Sequence, residues 1–172
     1  MKLSVKRKGW WIFLSVFVII LFLPEFPKIP VQDATVKDWN AKSFWFEPWG
    51  KSGVHKGIDI FGKMNTPVLA TTYGVVLFSG DLALGGKVVA VLGPKWRLHY
   101  YAHLSSDSVL IGEPVWPGKK IARMGDSGNA KGKPPHVHYA VVTLVPYVWR
   151  ADASSQGWKK MFYLNPAAVL TN

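Results

Sequence analysis

Short runs of apolar residues, separated by Gly, Pro, Asn and Asp, follow one another along most of the chain after residue 42. Runs of this kind, rich in Val, Ile, Leu and aromatic residues, are typical of β-strands joined by turns. The pattern predicts eight strands, at 57–60, 67–70, 74–79, 87–92, 97–104, 114–115, 120–124 and 137–144. Because no long helical period occurs in this part of the chain, we predict a mainly β, antiparallel domain over residues 43–172.

The N-terminal segment has a different pattern. An unbroken apolar run over residues 10–23 follows four basic residues and ends at Pro24. Basic residues ahead of an apolar run are typical of export or anchoring segments, and they stay in the cytoplasm. We therefore interpret residues 1–24 as one N-terminal transmembrane helix. A cleaved signal peptide is the alternative, because the run is shorter than about 20 residues; however, no small side chains suited to cleavage precede Pro24.

Between these two parts, three prolines at Pro24, Pro27 and Pro30 predict an extended linker over residues 25–42. The whole chain has 172 residues, of which 49% are hydrophobic, and this is enough for one core and one domain. Its formal net charge of +11 favours anionic partners, which could be phospholipid, nucleic acid or an acidic cell-wall polymer. The absence of cysteine excludes disulfides.

Candidate chemistry is concentrated in histidines. On a strand, residues two apart share a face, so His136 and His138 project the same way. His55 and Asp59, four apart on an extended segment, also share a face, and Gly57 between them allows a close approach or a bend. Together with one histidine of the pair they would give three zinc ligands and leave a fourth position for water, which is the pattern of catalytic zinc. The residues alone do not decide between His136 and His138.

The predicted strand 97–104 alternates in polarity, with His99, Tyr101 and His103 on its polar face. His103 is a candidate to meet the charge that develops on a substrate carbonyl oxygen. His99 lies about 13 Å further back at ~3.3 Å per residue, so we expect it to be exposed or structural.

Three motifs now stand in order: His55-x-x-x-Asp59, Tyr101-Ala102-His103-Leu104-Ser105 and Pro135-His136-Val137-His138-Tyr139. With them the sequence resembles the M23 family of zinc metallopeptidases, the lysostaphin-like or LytM-type cell-wall endopeptidases. The resemblance runs from about Gly50 to Pro166. It implies an antiparallel β-sheet sandwich or groove of the lysostaphin-like, duplicated hybrid motif type.

The resemblance also implies roles for single residues. His55, Asp59 and His138 correspond to the zinc ligands, and His103 and His136 to the catalytic histidines. Tyr101 and Asn129 are candidate substrate-binding residues, with a packing role for Tyr101 and a turn role for Asn129 as the alternatives.

The function implied is zinc-dependent hydrolysis of peptide bonds in peptidoglycan cross-links or stems, outside the cytoplasmic membrane. Peptidoglycan, and the membrane through the N-terminal anchor, would be the partners, and we expect no nucleic acid. A non-catalytic wall-binding module that activates another hydrolase is the alternative. A lipoyl-like carrier, suggested by Val115 to Ile121, would leave four histidines without a role.

Overall fold

The structure is a computed structural model that describes residues 3–171, with side chains from residue 8 onward. Its strands are β1 (Ile58–Phe61), β2 (Pro67–Leu69), β3 (Gly74–Leu82), β4 (Gly86–Leu92), β5 (Arg97–Asp107), β6 (Pro114–Val115), β7 (Lys120–Met124), β8 (His136–Thr143) and β9 (Tyr163–Leu164). Two helices, α1 (Leu3–Phe22) and α2 (Pro166–Thr171), stand at the ends. The eight predicted strands are confirmed, and the short β9 was not predicted.

All strand pairs in the sheet are antiparallel, and the main path runs β1-β8-β5-β4-β3-β6. Strand β8 lies between β1 and β5. In this register His138 is opposite Asp59 on one side and opposite Ala102 on the other. The sheet therefore brings the histidine pair, the aspartate and the middle of β5 to one place.

Strand β5 contains a bulge at its centre. Val89 pairs with Tyr101 and Lys87 pairs with Leu104, so Ala102 and His103 together oppose a single residue of β4. His103 has φ +63°, a left-handed conformation that is uncommon for a residue other than glycine. A bulge of this kind re-aims side chains and breaks the simple alternation of a strand.

The core consists of the buried apolar side chains of the sheet, and it also takes in residues that precede the sheet. Val31 is 3% exposed and Trp39 6% exposed. Residues 28–32, which we call the strap, run along the edge of β2. Lys28 N donates to Thr71 O at 2.9 Å, Leu69 N donates to Pro30 O at 2.8 Å, and Gln32 N donates to Pro67 O at 3.1 Å. Pro30 in the strap and Pro27 just before it keep this segment extended, and it lies against the domain.

Helix α1 contacts the turn before β5. The ring of Phe17 stacks on Trp96 with centroids 5.1 Å apart, and Trp96 Nε1 donates to Phe17 O at 3.0 Å. Within residues 3–171, no helix combines the length and the apolar character needed to cross a membrane. Our expectation of a transmembrane anchor is therefore not supported. The reason is that α1 ends at Phe22 and includes Lys6, Arg7 and Lys8, which leaves an uncharged part shorter than the ~20 residues of a spanning helix.

Candidate metal centre

Three donor atoms form a compact triangle at the junction of β1 and β8. Asp59 Oδ1 lies 2.8 Å from His138 Nδ1 and 3.1 Å from His55 Nε2, and the two ring nitrogens are 3.1 Å apart. Among the described residues, this His55, Asp59 and His138 group could hold a metal ion. A tetrahedral zinc with bonds of about 2.0–2.1 Å needs donors roughly 3.3 Å apart, so the triangle has nearly the required size.

The loop before β1 fixes the ring of His55. Its backbone is held by hydrogen bonds to Trp45 and Phe46, and its Nδ1 lies 3.0 Å from Ser43 O. Because a carbonyl can only accept, Nδ1 carries the proton and Nε2 presents a lone pair. That lone pair faces His138 Nδ1 and the Asp59 carboxylate. Donors so close together repel unless a cation or proton lies among them, and zinc fits this nitrogen and oxygen donor set.

The Asp59 carboxyl is ionised in this arrangement. Burial of the carboxyl opposes ionisation, but the neighbouring His138 and His55 imidazoles outweigh burial and lower its pKa well below the ordinary value. Metal ligands must be deprotonated, so the ionised Asp59 carboxylate can bind a divalent cation without first losing a proton.

Two further imidazoles lie beside the triangle. His136 Nε2 is 4.0 Å from Asp59 Oδ2, and the His103 ring lies 5.0 Å from the His136 ring and 6.0 Å from the His138 ring. His136 Nδ1 donates to Pro134 O at 2.8 Å, and His103 Nδ1 donates to Ser127 O at 2.9 Å. Both Nε2 atoms are therefore proton acceptors when the rings are neutral.

His103 stays neutral well into the acid range. Burial, and to a smaller extent the nearby His136, lower the pKa of this imidazole to about 4, although the hydrogen bond to Ser127 O opposes the shift. Near neutral pH the ring is therefore ready to accept a proton.

The bulge in β5 separates residues that the sequence pattern placed together. Tyr101 is completely buried on the far side of the strand, where its hydroxyl accepts from Thr71 N at 3.0 Å. The expectation that Tyr101 contacts substrate is therefore wrong, and its packing alternative holds. Tyr100 and Ala102 line the groove instead, together with His103. The prediction that Tyr101 and His103 share one face of β5 was wrong because His103 takes a left-handed conformation, which forms the bulge.

His99 is structural. It is fully buried on the same far side as Tyr101, and its Nδ1 lies 2.7 Å from the Tyr139 hydroxyl. Its Nε2 lies 2.9 Å from Glu25 Oε1, and Glu25 also pairs with Arg97. The ring thus links the N-terminal segment to β8, away from the metal centre.

The metal centre lies in a groove of about 740 Å³. Asn129 lines this groove, so its substrate-binding role stays a prediction; its backbone N donates to Leu84 O at 3.0 Å. Trp49, which was not among the predicted site residues, lines the groove and stacks on His55 with ring centroids 4.0 Å apart. The sequence feature that could have pointed to Trp49 is the aromatic stretch just before His55. Other members of this stretch have different positions: Phe44 packs against the core, and Phe46 is 53% exposed.

An antiparallel sheet that presents this histidine and aspartate triangle in an open groove has the features of the metallopeptidase class. More specifically, the chain belongs to peptidase family M23, whose sequence model matches residues 53–148, more than half of its length.

Individual relatives agree with this membership. The L-Ala–D-Glu endopeptidase of Bacillus subtilis is 35% identical over 113 residues, which cover 60% of this chain and 35% of that protein. The murein hydrolase activator NlpD of Escherichia coli is 34% identical over 96 residues, which cover 54% of this chain and 25% of that protein. The chain thus spans roughly a third and a quarter of these relatives.

The fold is also found among solved structures. The catalytic domain of lysostaphin from Staphylococcus simulans matches with a TM-score of 0.63 at 23% identity, covering 80% of this chain and 96% of that one. The predicted lysostaphin-like, antiparallel β fold is confirmed.

Proposed function

We propose that this protein is a zinc-dependent endopeptidase that hydrolyses peptide bonds in peptidoglycan cross-links or stems. The observation that carries the proposal is the donor triangle of His55, Asp59 and His138, with two more imidazoles beside it in one groove. Family membership supports a peptidase, and the name of the Bacillus subtilis relative supports a peptidoglycan stem as the substrate.

In this proposal His55, Asp59 and His138 hold the zinc. Bound zinc would supply a Lewis acid that polarises a carbonyl group and makes water acidic enough to ionise near neutral pH. Ser43 O orients the His55 ring through Nδ1, and Trp49 covers the face of that ring.

His136 acts as the general base. Its Nδ1–H is fixed on Pro134 O, so Nε2 can take a proton from the attacking water and then give it to the leaving amine. His103 has the same arrangement with Ser127 O. Once His103 Nε2 has taken a proton from solvent water, it becomes a donor and can meet the negative charge on the former carbonyl oxygen.

We propose that the domain works outside the cytoplasmic membrane, where peptidoglycan is located. The basic residues that precede the apolar N-terminal run support export. Protease accessibility of the domain in spheroplasts tests this location: digestion without lysis supports it, and protection contradicts it.

A second candidate is a non-catalytic wall-binding module that activates another peptidoglycan hydrolase. The observation that favours it is the similarity to the activator NlpD. Such a module would bind sacculi and raise the rate of a partner hydrolase without cleaving peptides itself.

The deciding experiment incubates the zinc-loaded full-length protein with intact sacculi and identifies released muropeptides by mass spectrometry. The controls are chelated protein and His136→Ala. The endopeptidase function is supported if cross-linked or intact stem peptides disappear only with the metal-loaded wild type. The released products then identify the bond that is cut. Binding to sacculi with no peptide released contradicts it and favours the activator.

A further inference from the structure

The groove around the metal centre is lined by cations. Lys51, Lys56 and Lys133 all border the same cavity as the donor triangle. Asp59 is the acidic residue among its lining side chains, and its carboxylate is committed to His55 and His138. Over residues 3–171, the ion pairs lie elsewhere, so no carboxylate oxygen comes within 4.0 Å of these three amino groups.

The three lysines differ in how firmly they are held. Lys51 and Lys133 are exposed, whereas Lys56 is half-buried. Lys56 Nζ donates to Ser52 O at 3.2 Å and to Val54 O at 3.4 Å. An ammonium group has three donors, so one N–H remains available for a ligand. Because the side chain is already oriented, less rotamer entropy is lost when an anion binds.

The loop at 151–157 contacts the Ser52 carbonyl to which Lys56 donates. Gln156 Nε2 donates to the same Ser52 carbonyl at 2.9 Å, and Lys159 Nζ donates to Gln156 Oε1 at 2.8 Å. Because Lys56 Nζ and Gln156 Nε2 share this carbonyl, the loop at 151–157 helps to hold the position from which Lys56 can contact a ligand.

We propose that Lys56 is a specificity-determining residue, assisted by Lys51 and Lys133, and that it selects peptides with an ionised carboxylate beside the scissile bond over their carboxamide counterparts. This inference rests on the proposed endopeptidase function and specifies the substrate class. Stem peptides contain such carboxylates on D-glutamate and diaminopimelate, and amidation removes the charge without changing the shape.

The test uses two pairs of synthetic stem peptides. One pair carries D-glutamate or D-isoglutamine, and the other carries diaminopimelate or its amide. Affinity for the zinc-loaded full-length protein is measured by isothermal titration calorimetry at low salt, and hydrolysis is followed in parallel. Wild type is expected to bind the acidic member of at least one pair about tenfold more tightly, as a charge-assisted hydrogen bond predicts.

Variants test whether Lys56 provides this preference. Lys56→Met is expected to weaken binding of the acidic peptide more than binding of its amide, and Lys133→Met to reduce the ratio by a smaller factor. Lys120→Met removes one charge at an exposed position on β7, outside the groove, and should keep the wild-type ratio. The zinc content of every variant is measured, so that a lost metal is not mistaken for a lost contact.

The outcomes separate the two proposals. A ratio near one for both pairs in wild type, or an unchanged ratio in Lys56→Met, overturns the inference. If the protein cleaves both members of each pair without a carboxylate preference, the proposed endopeptidase function is supported and the role of Lys56 is overturned. A carboxylate preference in binding, reduced in Lys56→Met, supports that role even where no peptide or sacculus is cleaved, and in that case the endopeptidase fails.

Discussion

Trp49 lies flat on His55, with ring centroids 4.0 Å apart and planes inclined by 21°. The imidazole is thus held by a stacked indole on one face and by Ser43 O at Nδ1. The groups that orient a metal ligand contribute to metal affinity even though they do not touch the ion.

We expect Trp49→Ala to weaken zinc binding by about 2- to 12-fold, the range that corresponds to a lost aromatic pair. Competition with a chromogenic chelator measures the affinity. Trp49→Phe keeps a stacked ring and should stay near wild type. Wild-type affinity in Trp49→Ala would show that the stack has no orienting role.

His136 and His138, two residues apart on β8, should differ sharply when replaced. His138→Ala removes a donor from the triangle, so we expect the zinc to be lost. His136→Ala leaves the triangle intact and should retain zinc while kcat falls by about 10²- to 10⁴-fold, as for loss of a general base. Metal analysis and turnover on muropeptides check both. Loss of zinc from His136→Ala with retention in His138→Ala would reverse the two roles.

His103 makes the metal-free protein sensitive to acid. In the unfolded chain a histidine takes up a proton near pH 6.5, whereas burial holds the native pKa of His103 at about 4. The unfolded state therefore binds more protons between these values, and the free energy of unfolding should fall as the pH drops from about 6.5 to 4. Urea unfolding at pH 7.5 and pH 5 measures the fall, which should be smaller in His103→Asn. An equal fall in both proteins would contradict this origin.

Gly57 allows the close approach of the loop before β1 to β8. A Cβ at this position would lie 2.5 Å from Tyr139 O and 2.8 Å from His138 Nε2. We expect Gly57→Ala to cost about 1–3 kcal/mol of stability, as overpacking does, and to weaken zinc binding because His138 is displaced. Thermal unfolding and chelator competition measure the two effects.

Gly132→Ala provides the contrast. This glycine has φ +77°, and no atom lies within 4 Å of the point that an added Cβ would occupy. Its replacement should therefore cost stability through backbone strain alone, about 1–2 kcal/mol. Zinc affinity should stay at the wild-type value. Equal loss of zinc affinity in both glycine variants would rule out the contact with His138 as the cause.

The side chain of Glu25 is 2% exposed and pairs with both Arg97 and His99. Removing one member of a buried ion pair leaves the others without compensation, so Glu25→Ala should destabilise the protein by about 3–5 kcal/mol. Chemical unfolding measures this, with Glu47→Ala, at an exposed position, as the matched control. Equal effects of the two substitutions would contradict the buried pairing.

Much of the fold could be predicted because its signals are local. Alternating apolar residues and turn sequences located eight of the nine strands described, and the register of β8 then places Asp59 opposite His138. Tyr101 could not be placed correctly, since the bulge depends on the backbone conformation at His103 and the sequence pattern there looks like regular alternation.

The remaining differences come from contacts between distant parts of the chain. Lys56 Nζ donates to two carbonyls of its own loop, and one of these, Ser52 O, also accepts from Gln156, about a hundred residues away in the sequence. Glu25 meets its partners on β5 in the same way. Sequence periodicity does not predict contacts between residues so far apart. The histidine motifs could be recognised because they are defined by residue type and spacing alone.

The strap has a consequence for solubility. An uncovered strand edge offers unpaired N–H and C=O groups on which another chain can add a strand. The strap pairs with β2 through Val31 and Val68, and on its outer side the Val31 carbonyl already accepts from Ala34 N at 3.2 Å, so less of that side is open to another chain. A recombinant domain that begins at Ala34 would lack this cover, and its β2 edge would become a site for self-association. The strap thus protects the β2 edge from aggregation. A recombinant protein retains this protection only if its N-terminal boundary lies before residue 28.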